Sequence, residues 1–452
     1  MTHALWAEGL AGGERAAYRT GMPPGEVDVC IVGGDTGLWT AYYLLGQHPS
    51  LSVCVLEAEQ VGFGTSGRNG GWVSALWPVS ADTLAAEVGE GPTRSMLAAL
   101  RETVDEVGAV AAAEGIACDY VKGGMVLAAR SPAQVARARS AAAAGARWGD
   151  GTVWLDLAEA RERLCATELL GASYNPHCAR VQPRRLVDGL AAAVRRLGGV
   201  ICEGARVVGA EPGAVRLASG AVVRTRHTVR ATEAYTARLP GLRRRLAPVY
   251  SLIIATEPLP QGVWAQIGLA EREVFADHRH VVVYGQRTDG DRLVFGGRGA
   301  PYHWGSRIEP VFDAEPRVFD MLWDTVRELF PVLDGYAVTH RWGGPLGIPR
   351  DWHPSVGYDP VARLGWAGGY VGDGVAASNL AGRTLADLVV GRRSSLAQLP
   401  WVGHRPPDWE PEPLRWLGVT AGLRVAEWAD REERITGRPA LLGRALGALT
   451  GH

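Results

Sequence analysis

Two features of the chain could do chemistry together. Gly33-Gly34-Asp35-Thr36-Gly37 is a glycine-rich turn between an apolar run, Val27 to Val32, and a helical stretch, LWTAYYLLGQ. Glycines before a helix let the backbone approach an anion, and the helix N-terminus offers free N–H groups and partial positive charge, so this turn suits a pyrophosphate. Glu57 closes the next apolar run, LSVCVLE, twenty positions after Gly37. A carboxylate there can accept hydrogen bonds from an adenosine ribose diol; it would repel a 2′-phosphate, which disfavours NADP. The turn departs from G-x-G-x-x-G. Read back from Gly37, the first glycine position holds Val32; read forward from Gly33, the turn is one residue short. Asp35 also brings a carboxylate to the phosphate seat. Pointing inward, it would oppose a charge about 5 Å away by roughly 3 kcal/mol at an effective dielectric of about 20. Pointing outward, it would cap the helix beside Thr36.

Further strings share the order of one known family. Gly62-Phe63-Gly64-Thr65-Ser66-Gly67-Arg68-Asn69-Gly70-Gly71-Trp72 follows the second apolar run directly. VQPRRLVDGLAAAVRRLGG, ATEAYT at 231–236, RRRLAPVYSLIIATEPL, GGRG at 296–299, RWGGPLGIPRDWHPSVGYDP and GGYVGDGVAASNLAGRTLADL come later. Together they resemble the D-amino-acid oxidase / glycine oxidase superfamily of FAD-dependent oxidoreductases, in its γ-glutamylputrescine oxidoreductase-like branch, over roughly residues 5–430. The resemblance implies an FAD cofactor. Gly33, Gly34 and Gly37 would cradle its pyrophosphate and Glu57 its ribose. Thr65, Ser66, Arg68, Asn69, Gly70 and Gly71 would run under the pyrophosphate and flavin. Val207 would read the adenine, and Ala231 and Thr232 would lie at a strand end beside the cofactor. Gly372, Asp373, Gly374 and Val375 would meet the isoalloxazine, with the following helix stabilising negative charge near N1.

The resemblance also implies a reaction: oxidation of the C–H next to an amine nitrogen of a small polar amine or amino acid, giving an imine that water hydrolyses. The expected partners are that amine and oxygen or another electron acceptor. No H-E-x-x-H motif or Cys/His ligand cluster is present, and no metal is expected. His280, Tyr284, Arg298, Trp342 and Tyr370 are the candidates for the substrate pocket. His280 and Tyr284 would share one face of a strand, and Trp342 and Tyr370 would flank glycine turns. Each has an alternative: a structural histidine, a core aromatic, an arginine anchoring a loop or the cofactor. In some members a lysine near the flavin helps oxygen accept electrons. Lys122 is the only lysine, lies outside the expected pocket sheet, and is not expected to take that part. Arginine cannot yield a proton at working pH, so oxidase and dehydrogenase both stay open. A flavin-free member of the fold, catalytic or binding, is the rival reading suggested by the short turn and Asp35.

The elements that must position these groups read as α/β. A strand–turn–helix–strand unit opens the chain, β-rich segments near 249–256, 279–286 and 292–297 fill the middle, and a strand–glycine turn–helix near 364–391 returns to the opening style. The expectation is a discontinuous, Rossmann-like FAD-binding domain (1–120, 178–245, 346–400) with an inserted, mostly antiparallel sheet as substrate domain (121–177, 246–345) and a helical tail (401–452). Residues 1–26 are expected to wrap a surface, and 119–129 to form a strand pair. The 452 residues are 47% apolar and 21% charged, with a formal net charge of −1. That composition suits a folded protein and gives no basic excess for nucleic acid. No window approaches the length of a membrane span, no apolar segment near the start reads as a secretory signal, and six cysteines without a C-x-x-C pair fit reduced thiols, so a cytoplasmic location is expected. The oligomeric state is left open.

Overall fold

The computed structural model describes residues 4–8, 22–297, 299–441 and 443. Its first sheet is built around Glu26–Val32. This strand is flanked in parallel by Val53–Leu56 on one side and Val222–Arg230 on the other. Val200–Cys202, Leu364–Gly368 and Ser355–Asp359 extend the sheet, and Val207–Glu211 and Ala214–Leu217 form an antiparallel flap off Val222–Arg230. The central strands are apolar at nearly every position because both faces are covered. Helices Asp35–Gln47, Pro183–Arg196 and Gly374–Val389 bury Val29, Ile31 and Val55 on one face, and Val215 of the flap and Val223 of its partner strand cluster with Cys30 and Cys54 on the other.

The opening helix, Asp35–Gln47, and the closing helix, Gly374–Val389, touch at their backbones. A Cβ on Gly382 would sit 2.5 Å from Trp39 Cβ and 2.9 Å from the Thr40 nitrogen. That contact brings the N-termini of both helices to the same sheet edge, and it depends on glycine having no side chain.

The second sheet runs in the order Val338–Ile348, Ala247–Thr256, Leu293–Gly297, Val283–Arg287, Val274–Asp277, Met125–Ala129, Gly171–Asn175, Val153–Leu155. Only the pair Val274–Asp277 with Met125–Ala129 is parallel. Side chains alternate between its faces. Tyr250, Leu252 and Ile254 pack beneath helix Pro316–Leu329, while Ile253 and Ala255 face the first sheet together with Trp342. The fold is therefore α/β with a mostly antiparallel second sheet, and the chain crosses between the two sheets repeatedly.

Several sequence expectations change. Residues 119–129 give one strand, Met125–Ala129, plus a single bridge from Val121 to Arg180. The segment near 279–286 splits into Val274–Asp277 and Val283–Arg287, so His280 lies in the intervening loop and shares no strand face with Tyr284. Trp342 is inside the long strand Val338–Ile348 rather than at a turn. Near the start of the chain Trp6 is buried against Trp342 instead of covering a surface. Among the described residues Cys165 is exposed and the other five cysteines are buried. No helix of the described residues is long and apolar enough to cross a membrane.

The tail helix, Leu414–Thr436, returns to the second sheet. Both terminal nitrogens of Arg137 donate to Glu433 at 2.6 Å, Ala440 N–H adds a bond of 3.1 Å, and His280 Nε2 lies 3.0 Å away. Asp430 accepts the N–H groups of His280 and Val281. Burial works against the Glu433 charge, but the Arg137 fork, the Ala440 N–H and His280 outweigh it and hold the carboxyl at about 2 against an ordinary 4.5.

Three outcomes are expected. Replacing Gly382 with valine should lower stability by about 1–3 kcal/mol through overpacking, read by urea unfolding. Because the folded-state pKa of Glu433 is depressed, its contribution is present above about 4.5 and is lost as pH falls toward 2. Limited proteolysis should release the tail progressively across that window, and Glu433→Gln should loosen it at neutral pH by about 1.5–3 kcal/mol, the worth of bonds to a charged group.

Candidate cofactor and active site

The glycine turn is held against the end of the neighbouring strand. Gly33 has φ +116°, and a Cβ there would lie 2.1 Å from the Ala231 carbonyl oxygen, so no other residue fits. A Cβ on Gly37 would approach Ile31 Cγ2 at 2.9 Å, which makes it the residue that lets the helix lie on its strand. Asp35 points inward. It makes no capping bond to its own helix; Oδ2 accepts from Ser378 Oγ at 3.0 Å on the closing helix, and Oδ1 is buried without a partner. Burial pushes this carboxyl up to about 7, against the opposing pull of Ser378. Next to it Thr36 Oγ1 meets Tyr370 OH at 2.9 Å.

Glu57 stands across the turn. Its Oε1 accepts the Glu59 N–H at 3.0 Å, and its Oε2 would be 3.3 Å from a Cβ on Gly34. Burial raises it to about 7, the nearby Glu59 and Glu203 adding to the shift, and no cation pairs with it. With Gly33, Gly34, Val207, Ala231 and Thr232 it lines a cavity of about 120 Å³. A second cavity of about 70 Å³ continues past Asp35, Thr65, Ser66, Asn69, Gly372, Gly374, Val375 and Tyr370.

The loop 65–71 forms the floor between the two sheets. Asn69 ties it internally: Nδ2 donates to the Thr65 and Ser66 carbonyls at 3.0 Å, and Oδ1 accepts the Gly71 N–H at 2.8 Å. Arg68 Nη1 pairs with Asp313 at 2.6 Å. Three side chains then hold its outward carbonyls. Trp342 Nε1 donates to Arg68 O at 2.9 Å, Trp6 Nε1 to Asn69 O at 2.8 Å, and Gln286 Nε2 to Gly70 O at 2.5 Å. Gly70 and Gly71 must be glycine, because a Cβ would be 2.4 Å from the Tyr284 ring and 2.2 Å from Gln286 Nε2. Tyr284 is fixed by Ser251 Oγ at 2.9 Å and by the edge of Trp72.

The closing turn completes the cleft. Gly372 has φ +112°, Asp373 accepts from Ser74 Oγ at 3.0 Å, and the helix starts at Gly374 with its N-terminus on the cavity. Glu233 has no assigned role in the sequence reading. Its φ is +43°, unusual for a residue with a long side chain. Its buried carboxylate accepts the N–H groups of Gly369 at 2.7 Å and of Gly347 and Tyr370 at 3.3 Å. Burial raises it to about 7 while the three amides pull the other way. The only signal at sequence level was an acidic residue directly after a strand end, in ATEAYT.

Gly33, Gly34, Glu57, Thr65, Ser66, Val207, Ala231 and Thr232 line the first cavity, and Asn69, Gly372, Gly374, Val375 and Tyr370 line the second with Thr65 and Ser66; Gly37, Arg68, Gly70, Gly71 and Asp373 lie on the adjoining turns and loop, and Trp342 and Tyr284 sit behind the loop 65–71. His280 lies outside this cleft, tied to the tail through Glu433 and on the lining of a separate cavity beneath the tail helix. Lys122 pairs with Asp105 at 2.5 Å. Arg298 lies outside the described residues. A dinucleotide fits the cleft at its nucleotide end, where the Glu57 carboxylate, bonded by backbone N–H but with no cation among the described residues, faces the glycine cradle. At the ring end Glu233 and Tyr370 leave little room: cofactor-sized ligands occupy about 300–1,000 Å³, so these two side chains must give way to admit one.

The family model described as FAD dependent oxidoreductase (DAO) matches residues 28–388. Gamma-glutamylputrescine oxidoreductase of Escherichia coli (strain K12) is 30% identical over 383 residues, covering 82% of this chain and 86% of its own. A probable oxidoreductase, OrdL, of Haemophilus influenzae is 28% identical, covering 80% of this chain and 83% of its own. Among solved structures, glycine oxidase from Geobacillus kaustophilus superposes with a TM-score of 0.70 at 20% identity, over 84% of this chain and all of that one. L-proline dehydrogenase from P. horikoshii gives 0.68 at 19%, over 84% and 96%. The glycine cradle, the Glu57 carboxylate and the match over residues 28–388 place the chain in the DAO family of FAD-dependent oxidoreductases.

Proposed function

We propose that the protein oxidises the C–H next to an amine nitrogen. The observation that carries the reading is the buried, cation-free Glu57 carboxylate facing a glycine turn, since such a group gains most from a ribose diol. FAD held by this cleft would supply a two-electron acceptor for the hydride of the amine's C–H, and water would hydrolyse the oxidised amine to a carbonyl compound and the freed amine. Gamma-glutamylputrescine oxidoreductase and glycine oxidase, by their names, act on an amine derivative and an amino acid, which supports an amine substrate here.

The chain's own groups have distinct tasks in this reading. Gly33 and Gly34 with the N-terminus of Asp35–Gln47 receive the pyrophosphate. The N-terminus of Gly374–Val389 directs its dipole at the ring end, where negative charge accumulates on reduction. The loop 65–71, immobilised by Trp342, Trp6 and Gln286, keeps the ring support fixed against the second sheet. Tyr284 and Trp342 back that loop from the second sheet, Tyr284 against Gly70 and Trp342 through the Arg68 carbonyl. Glu233, held by its three amide donors, narrows the ring end of the cleft.

Three outcomes follow. Purified protein should carry flavin absorbance and release FAD on denaturation, and an anaerobic panel of amines should bleach it; colourless protein that excess FAD fails to reconstitute would sink the reading. Glu57→Ala should weaken FAD binding roughly 10- to 100-fold, the worth of bonds of about 1.5–3 kcal/mol. Asp35 is neutral below about 7 and ionises above it, facing the phosphates. FAD affinity should therefore fall several-fold between pH 6 and pH 8, and Asp35→Asn should flatten that dependence; titration by fluorescence quenching reads both.

A further inference from the structure

A roomier cavity lies apart from the nucleotide cleft. It encloses about 530 Å³ between the second sheet and the tail helix, Leu414–Thr436. Its floor is Val249, Leu346 and Ile348, on the face turned toward the first sheet, and Trp352 and Trp409 form a side. Leu346 also lines the ring end of the cofactor cleft, so one side chain separates the two spaces. Val371 belongs to the same apolar cluster as Ile348 and Trp409, and it comes from the turn between Tyr370 and Gly372 with φ +57°, a strained value for a β-branched residue. The chamber therefore meets the cleft at Leu346.

The tail helix keeps this space open. Gly418 and Gly422 lie one turn apart on its chamber face, each costing about 1 kcal/mol of helix propensity relative to alanine. Neither glycine is there for close packing, because a Cβ at either position would meet nothing within 4 Å. What they preserve is volume. The lining is predominantly apolar, and its charged groups are engaged: Arg350 with Glu410 at 2.9 Å, Arg415 with Glu412 at 2.9 Å, Glu427 with Arg424 at 2.8 Å, and His280 against Glu433 at 3.0 Å. A substrate carboxylate would find no uncommitted partner among those two arginines.

We infer that this chamber is the substrate-binding space and that it takes an amine bearing an apolar, aromatic-sized arm, with the tail helix as its cover. This deepens the amine-oxidising reading and rests on it. A polar arm, expected from the sequence, would lose its hydration against these walls without replacement bonds. A volume of about 300–1,000 Å³ with mostly apolar walls is the usual form of a small-molecule site, and the family match ends at residue 388, before the helix that covers it.

The test uses the holoenzyme with 2-phenylethylamine and putrescine as probes. Binding is read by tryptophan fluorescence, because Trp352 and Trp409 line the chamber, and flavin reduction is read separately under anaerobic conditions. The expected result is at least ten-fold tighter binding of 2-phenylethylamine. Gly418→Leu and Gly422→Phe should each lower that affinity at least ten-fold while FAD content and Tm are retained, since the new side chains enter open space and favour the helix. Equal or tighter binding of putrescine, or fill-in variants that leave 2-phenylethylamine affinity unchanged, would overturn the inference. The two readings fail differently. Chamber binding without flavin reduction by any amine would remove amine oxidation and leave the site; reduction by putrescine with no binding of the aromatic amine would remove the site and leave amine oxidation.

Discussion

The architecture depends on the pinning of one short loop between two sheets. The loop 65–71 has few internal contacts of its own beyond the Asn69 side chain, yet its three successive carbonyls, on Arg68, Asn69 and Gly70, are each held by a side-chain N–H from a different segment. Buried carbonyls left without donors would cost more than the bonds themselves return. Trp342, Trp6 and Gln286 thus fix the register between the nucleotide-binding sheet and the inserted one. The cleft and its glycine cradle inherit their relative positions from those bonds.

Three buried carboxyl groups surround that junction. Asp35, Glu57 and Glu233 are all buried and all pushed toward neutrality, each principally by desolvation. They differ in what they face. Glu57 looks onto an open nucleotide cavity, Asp35 is bound on one oxygen to the closing helix, and Glu233 is saturated with backbone donors. The short turn and the Glu233 side chain together explain why the ring end is so much narrower than the chamber beyond Leu346.

Much of this was legible in the sequence because the deciding features are local. The β-branched runs around Cys30 and Cys54, the glycine spacing and the position of Glu57 each follow from the chemistry of a few adjacent residues. The string from Thr65 to Gly71 could be read because Gly70 and Gly71 are demanded by contacts that tolerate no Cβ. The orientation of Asp35 could not: it is settled by Ser378, more than three hundred residues away. Glu233 was missed for the same reason, since its donors come from Gly347, Gly369 and Tyr370. His280 was misplaced because alternating residues near 279–286 resemble a strand, while Asp430 and Glu433 of the tail hold that segment as a loop. Tertiary partners distant in sequence decided each of these cases.

The tail helix sits outside the stretch that matches the family, yet it rests directly on the second sheet through Arg137, His280 and Val281. Redox machinery and ligand cover are therefore carried by separate stretches of polypeptide, joined by a small set of polar anchors. Descendants of such a chain can exchange the cover, and with it the molecules admitted, while the electron-transfer apparatus stays under unaltered selection.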